Sequence, residues 1–200
     1  MKALVLLLVT GALLGISTVL AKVAGMAGIP ALPFLTWSVA GAAAILGLMG
    51  VVGGGLPRPT GRLLEYWVVA AVLSLAAPNL IFLAAIPYVG AGFVALAPSL
   101  PPLLTYLGAL ALAMERFQPG RAAGVALALA GALVIALPKL TAAGPVGFWA
   151  GAVMGGPLLL AAGNLYRSLR WPPGIAAEAL APGMLVAATL MLTAATALPG

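Results

Sequence analysis

The chain lacks the side chains that most enzymes need. Its 200 residues contain no cysteine, no histidine and no aspartate, and its only acids are Glu65, Glu115 and Glu178. Metal centres, Ser-His-Asp triads, cysteine nucleophiles and paired carboxylates therefore lack their parts. Disulfides are excluded for the same reason. We expect neither an enzyme nor a bound metal or cofactor.

Charge is as scarce as catalytic chemistry. Only 6% of the residues are charged, 64% are apolar, and the mean hydropathy is +1.23. A soluble domain carries roughly a quarter of its residues as charges, so lipid is the expected surrounding for most of this chain. The net charge of +6 comes from basic residues scattered singly along the sequence. They form no stripe for nucleic acid and are interpreted as signals of membrane topology.

Seven segments are long and apolar enough to be spanning helices. Such a helix needs roughly 17–25 mostly apolar residues, and glycine and proline punctuate the gaps. The boundary at Pro87-Tyr88 is the least marked, but one helix from Tyr66 to Ala113 would far exceed the bilayer. The predicted spans are residues 4–21, 31–52, 66–86, 89–112, 119–137, 146–165 and 176–197.

The basic residues indicate the orientation of the spans. With the N-terminus in the cytoplasm, only Lys22 and Lys139 fall outside, and Gly200 lies on the outer side. Short loops follow the positive-inside rule, which favours this topology. The inner set is Lys2, Arg58, Arg62, Arg116, Arg121, Arg167 and Arg170. Interfacial aromatic residues agree, with Tyr66, Trp67, Tyr166 and Trp171 inside and Tyr88, Phe148 and Trp149 outside.

The first apolar run allows a second interpretation. Lys2, the run itself and Val19-Leu20-Ala21 also fit a cleavable signal peptide. Cleavage would leave Arg58 and Arg62 on the same side, so the charge count is compatible with both. High usage of alanine, glycine, proline and arginine is typical of a GC-rich bacterium, and the expected location is its cytoplasmic membrane.

Three spans carry proline near the midpoint. They are the third with Pro78, the fourth with Pro98, Pro101 and Pro102, and the sixth with Pro157. In lipid, a proline inside a helix frees the carbonyl four residues back, here those of Ser74, Val94, Ala97, Pro98 and Val153. Interrupted helices that meet at mid-depth build polar sites in transporters. The alternative is that the kinks only shape packing.

Glycines at a spacing of four form one-sided helix faces. The pairs Gly11/Gly15 and Gly120/Gly124 and the series Gly147, Gly151 and Gly155 follow this spacing. Small residues let helix backbones approach closely. We expect ordinary packing within the chain there, with a homodimer interface as the alternative.

Several short segments, in a fixed order, carry a resemblance to a known family. They are Leu14-Gly15-Ile16-Ser17-Thr18 before Lys22, Leu35-Thr36-Trp37, Ala95-Leu96-Ala97-Pro98, Leu112-Ala113-Met114-Glu115-Arg116-Phe117, and a glycine-rich stretch at residues 124–135. In order and spacing the chain resembles the EamA-like transporters of the drug/metabolite transporter superfamily. It departs from them in the second helix, where Ser38-Val39 stands in place of the basic residue that often follows the aromatic.

The resemblance implies ten helices in two five-helix halves. Because five is odd, the second half enters from the opposite side and gives an inverted repeat. The fold expected here is an all-α polytopic transmembrane bundle, with a first repeat at residues 1–139 and an incomplete second repeat of two helices at 140–200. The absence of three helices favours a fragment, and the alternatives are a chain that needs a partner and a chain that is not an active transporter on its own.

The resemblance also implies a function. Family members mostly export amino acids, related metabolites or drugs without ATP, so the expected partners are the lipid bilayer and a small solute. The polar and aromatic candidates for the solute site are Ser17, Trp37, Ser74, Asn79, Ser99, Thr105 and Tyr106. Asn79 and Ser99 adjoin proline breaks and are the strongest candidates. The alternative is a scaffold subunit that transports nothing.

Overall fold

The computed structural model describes residues 2–53 and 55–197, without the side chains of Lys2 and Ala3, and its regular elements there are all helices. Gly200, which the predicted topology places outside, lies beyond these residues. The nine α-helices described are α1 (Lys2–Met26), α2 (Ala31–Val52), α3 (Gly61–Ala71), α4 (Ala77–Val89), α5 (Ala91–Leu96), α6 (Pro101–Ala111), α7 (Pro119–Leu140), α8 (Pro145–Leu169) and α9 (Ala177–Ala197). They form seven segments that are long and apolar enough to cross a membrane. The predicted all-α transmembrane bundle is confirmed, while the inverted repeat and the division at residue 139 stay predictions.

Some spans begin or end at residues other than those predicted, because a glycine or a helix-capping side chain sets the end of the helix. The first helix runs to Met26, so Lys22 lies within its last turns instead of ending it. The third span begins at Gly61, after the Thr60 side chain accepts a hydrogen bond from the Leu63 amide at 3.4 Å. It ends before Gly90, and not at Pro87. Gly90 has φ 83°, a left-handed conformation that glycine adopts without strain.

Proline interrupts two of the three spans in which it was expected to. Residues Val72–Ala76 form a π-helical turn that joins α3 to α4 just before Pro78. In this turn the Ala77 amide donates to the Val72 carbonyl, five residues back. Proline has no N–H, and its ring collides with the preceding turn of an α-helix. The wider turn gives the Pro78 ring room without ending the span.

A 3-10 turn at Ala97–Ser99 joins α5 to α6 in the fourth span. The Ala97 amide donates to the Val94 carbonyl, and the Leu100 amide donates to the Ala97 carbonyl at 3.1 Å. The expectation that prolines leave these two carbonyls free is therefore wrong, because the tighter turn satisfies both.

The sixth span is one uninterrupted α-helix, α8, which continues through Pro157. Pro157 and Val153 are fully buried there. The predicted break at Pro157 is therefore wrong, because packing against neighbouring helices holds this segment helical.

The helix α8 lies at the centre of the bundle and packs against α4, α6 and the π-helical turn. The last helix, α9, packs along α2 and α3. One apolar core joins α4, α5 and α8, with Phe82, Val94 and Val153 among its buried members. A second core joins α2 to α9 through Leu35, Val39 and other buried side chains.

Close helix contacts occur at glycines other than those at spacing four. A Cβ on Gly156 or Gly163 of α8 would collide with Phe82 or Ser74, and one on Gly183 would collide with Trp67. By contrast, Gly11, Gly15, Gly120, Gly124, Gly151 and Gly155 have no atom within 4 Å of an added Cβ. The expected packing through those faces is wrong for these six glycines. Spacing alone does not say which helix face has a neighbour.

The outer surface of the bundle is apolar. Leucine, valine and isoleucine side chains are exposed along α1, α2 and α7, and the buried side chains among the described residues are aliphatic or aromatic, with none of them charged. Aromatic residues gather at the two ends of the bundle. Tyr88 stacks on Trp149 at one end, and Tyr66 stacks on Tyr166 at the other. These are the arrangements of a protein solvated by lipid.

Candidate functional site

A crevice of about 1100 Å³ lies between α1, α4 and α5. It sits at the middle of the spans, beside the two non-α turns. Three of the predicted solute residues line it: Ser17, Asn79 and Ser99. Its other lining residues are Leu6, Leu7, Thr10, Gly11, Leu14, Gly15, Thr18, Phe82, Leu83, Ile86, Val94, Ala95 and Pro98.

Asn79 is the crevice residue with the greatest hydrogen-bonding capacity. It follows Pro78 directly, and its Nδ2 donates to the Leu75 carbonyl at 2.7 Å. This bond fixes the amide on its own helix at the π-helical turn. A primary amide has a second N–H and a carbonyl oxygen, and these groups remain for a partner.

The hydroxyl groups of the crevice present acceptor oxygens. Ser99 donates its proton to the Leu96 carbonyl at 2.6 Å, and Thr10 and Thr18 donate theirs to carbonyls of α1 at 2.8 and 2.9 Å. Once a hydroxyl proton is used in this way, only its lone pairs can bind a solute. The crevice therefore offers several acceptors, together with the amide of Asn79.

The crevice is also without charge. None of its lining residues is acidic or basic. Glycines Gly11 and Gly15 form part of the α1 wall, which explains why no neighbour fills the space beside them. An ion at this depth would lack a counter-charge and would lose much of its hydration, at a high cost in free energy. The arrangement suits an uncharged or locally paired polar group on an apolar body.

A second cavity, of about 640 Å³, lies beside the crevice and nearer to one end of the bundle. The two cavities share Leu83 and Ile86. Lys22, Tyr88 and Trp149 line the second cavity, and the two aromatic rings stack with centroids 5.3 Å apart. The second cavity thus lies at an end of the bundle that carries an aromatic pair and one cation, here called the aromatic mouth.

Trp37 and Ser74 do not line the crevice. Trp37 is 79% exposed on α2 and points away from the bundle. Ser74 lies in the π-helical turn against Gly163, and its Oγ is buried without a hydrogen-bond partner among the described residues. Both positions were predicted from residue type, which does not say where the side chain points.

Thr105 and Tyr106 line a separate cavity of about 620 Å³ between α6, α8 and the start of α7. Thr105 Oγ1 accepts a hydrogen bond from Asn164 Nδ2 at 3.2 Å. Tyr106 is buried, and its hydroxyl accepts from the Gln118 amide at 3.3 Å. The seven predicted residues are thus divided among the crevice, this cavity, a packed turn and the lipid surface.

Four residues that line these cavities were not predicted from the sequence: Thr10, Thr18, Phe82 and Asn164. Asn164 had a usable signal, because it is one of only two asparagines in the chain and lies within a span. The threonines had none, since threonine bonded to its own helix is common in membrane spans. Phe82 could be identified only from the packing of α4 on α8.

The fold and the crevice define a class, namely polytopic helical membrane proteins with a polar cavity at mid-depth. The model of the EamA-like transporter family matches residues 1–137. Because this match covers more than half of the chain, the protein belongs to the EamA-like transporter family. Neither the curated proteins nor the solved structures compared with the chain include a significant match. The match spans the first five membrane helices and every residue of the crevice.

Proposed function

We propose that the protein exports small, partly apolar solutes across a bacterial cytoplasmic membrane, without ATP, and that the solute passes through the crevice beside α1. The observation that carries the proposal is the crevice itself: an uncharged cavity with Asn79 and several acceptor oxygens at mid-depth, in a chain of a transporter family. The aromatic mouth gives the crevice an exit toward one face of the membrane.

The lining indicates the solute chemistry. Acceptor oxygens from Ser99, Thr10 and Thr18 suit a solute with N–H or O–H donors. The apolar remainder suits a hydrocarbon or ring portion. Because the lining holds no counter-charge, a solute of zero net charge crosses at lower cost than an ion. Neutral derivatives of amino acids and uncharged drugs meet these requirements, and a zwitterionic amino acid meets them when its ammonium and carboxylate groups pair with each other.

Three residues are proposed to touch the solute. Asn79 donates and accepts, Ser99 accepts, and Ser17 supplies a hydroxyl from α1. The other four predicted residues lie outside the crevice and are not proposed to touch the solute there: Trp37, Ser74, Thr105 and Tyr106.

The first experiment measures efflux of an amino-acid and drug panel from cells that express the chain. Asn79→Leu keeps the volume of the side chain and removes its hydrogen bonds. A lost hydrogen bond of roughly 1–2 kcal/mol corresponds to about a 5- to 30-fold fall in efflux. Efflux is expected to fall by a smaller factor in Ser99→Ala, because the Ser99 hydroxyl offers only its lone pairs to the solute.

Ser38→Ala is the matched control. Ser38 makes the same kind of bond to its own helix, from Oγ to the Phe34 carbonyl at 2.8 Å, but lies outside the crevice. Efflux at the wild-type rate is expected for this variant. If a well-expressed protein moves no member of the panel, and the Asn79 and Ser99 variants match Ser38→Ala, the transporter proposal fails. The scaffold interpretation then takes its place.

The proposed orientation has its own test. A reporter that is active only in the cytoplasm, fused before α1 or within the loop at Arg58, is expected to be active. The same reporter in the loop before α2 is expected to be silent. This result would place the aromatic mouth, with Lys22, Tyr88 and Trp149, on the outer side of the membrane. The opposite pattern would place it on the cytoplasmic side and contradict the proposed orientation.

A further inference from the structure

The cavity between α6 and α8 has a different character from the crevice. It lies at the opposite end of the bundle from the aromatic mouth, where α8 ends and α7 begins. Two arginines, Arg121 and Arg167, and one acid, Glu115, line it. Its remaining lining residues are Pro102, Thr105, Tyr106, Ala109, Asn164, Ser168, Trp171 and Ala177.

Arg167 is held in place by a chain of hydrogen bonds. Its Nη2 donates to Asn164 Oδ1 at 2.6 Å, and Asn164 Nδ2 donates in turn to Thr105 Oγ1 at 3.2 Å. The chain links two helices, α8 and α6. A guanidinium fixed through one of its nitrogens presents the rest of its planar fork in a defined direction.

Some N–H groups of the Arg167 guanidinium have no hydrogen-bond partner. Arg167 Nε is buried and has no hydrogen-bond partner within residues 2–53 and 55–197. The ion pair found in this part of the chain joins Arg121 to Glu115 at 2.8 Å, which leaves Arg167 without an acid. A guanidinium stays charged at every physiological pH. The cavity is therefore lined by a positioned cation that has no acid partner among the described residues.

Membrane topology explains only part of this arrangement. A basic residue near the C-terminus of a helix is favoured by the helix dipole and by the positive-inside rule. Arg170 meets both conditions three residues later and does not line the cavity. Neither effect requires a hydrogen-bond chain to a second helix, or a buried Nε. The N–H groups of Nη1 and Nη2 that Asn164 does not use remain for an oxyanion, which a guanidinium binds bidentately.

The geometry points to an oxyanion site in this cavity, where Arg167 binds a carboxylate or phosphate group and the Asn164–Thr105 pair positions the guanidinium. Arg121 lies over the Tyr106 ring, 4.7 Å from its centroid, and its charge is paired with Glu115, so Arg167 is the cation that would hold the anion. The oxyanion can come from a lipid headgroup or from a soluble anion. The site is independent of the solute crevice.

The experiment has two arms, one for each source. In the first, inorganic phosphate or acetate is titrated into protein purified in an uncharged detergent, with chloride replaced to hold ionic strength constant. Binding raises the unfolding temperature. In the second, protein is reconstituted in phosphatidylcholine vesicles with or without phosphatidylglycerol. The anionic lipid that stays bound is counted by native mass spectrometry.

Arg167→Gln is compared with Arg170→Gln, which removes the same charge from the same end of the bundle. Loss of a charge-assisted hydrogen bond predicts that Arg167→Gln weakens binding roughly 10- to 100-fold in one of the two arms. Arg170→Gln is expected to weaken it less than about 3-fold, as a distant surface charge does. The arm that responds identifies the source of the anion.

Two further variants distinguish a loss of binding from a loss of folding in Arg167→Gln. Arg167→Lys keeps the charge but loses the fork, and is expected to bind with intermediate affinity. Asn164→Leu leaves Arg167 in place without its positioning bond, and is expected to weaken binding severalfold. Equal losses in the Arg167 and Arg170 variants, or no binding of phosphate, acetate or phosphatidylglycerol by the wild-type protein, would overturn the inference.

Discussion

Replacing Gly156 with alanine tests whether the contact between α8 and α4 supports the crevice. A Cβ at Gly156 would overlap the Phe82 ring, and Phe82 also lines the crevice. The added methyl must therefore push the ring toward the solute route. Overpacking of a tight interior costs about 1–3 kcal/mol. We expect that loss of stability together with reduced efflux.

Gly151→Ala supplies the reference on the same helix. No atom lies within 4 Å of a Cβ added at Gly151. Both substitutions gain the same helix propensity, about 1 kcal/mol, because both replace a glycine within α8 by alanine. The difference between their unfolding free energies therefore isolates the Phe82 contact. It is measured by denaturation in mixed detergent micelles.

A smaller side chain at residue 82 allows a double-mutant cycle between Gly156 and Phe82. Phe82→Leu makes room for the methyl, so the double variant Gly156→Ala with Phe82→Leu is expected to recover at least half of the lost stability. The reasoning is refuted if Gly156→Ala and Gly151→Ala unfold at the same free energy. It is also refuted if the two substitutions at the contact are simply additive.

Three more substitutions test other parts of the account. Gly183→Ala is expected to cost about 1–3 kcal/mol of unfolding free energy, because the new methyl would overlap the Trp67 indole. Trp37→Ala is expected to change that free energy by less than about 0.5 kcal/mol and to leave efflux unchanged, since Trp37 is 79% exposed; a tenfold loss of efflux would return Trp37 to the solute site. The Arg121–Glu115 ion pair is exposed on both sides, so a double-mutant cycle with Arg121→Gln and Glu115→Gln is expected to give less than about 1 kcal/mol.

The spans could be predicted from the sequence because lipid imposes a simple rule. Each crossing must be long, apolar and helical, and the seven predicted segments all correspond to helices. The interruptions at Pro78 and Pro98 were also predictable, since proline removes a specific hydrogen bond. Pro157 was not, because burial against neighbouring helices holds α8 helical there.

The assembly of the site could be predicted only in part. Ser17, Asn79 and Ser99 meet in the crevice because each lies at the midpoint of its span. The pairing of Asn164 with Thr105 joins residues 59 positions apart, and no local pattern signals it. Which glycines make close contacts, and that Trp37 points to lipid, depend on how the helices rotate against one another.

The central claim is that water and solute reach Ser99 through the crevice, and the absence of native cysteine makes a direct measurement simple. Ser99→Cys is exposed in cells to an uncharged, water-soluble, thiol-specific reagent, with Val134→Cys as the control. Val134 is 72% exposed on α7 and is not a crevice residue. A thiol reacts as its thiolate, which forms in water and not in hydrocarbon. The account predicts rapid labelling at position 99, slowed by a transported solute, and no labelling at position 134. Equal labelling at both positions, or none at position 99, would contradict it.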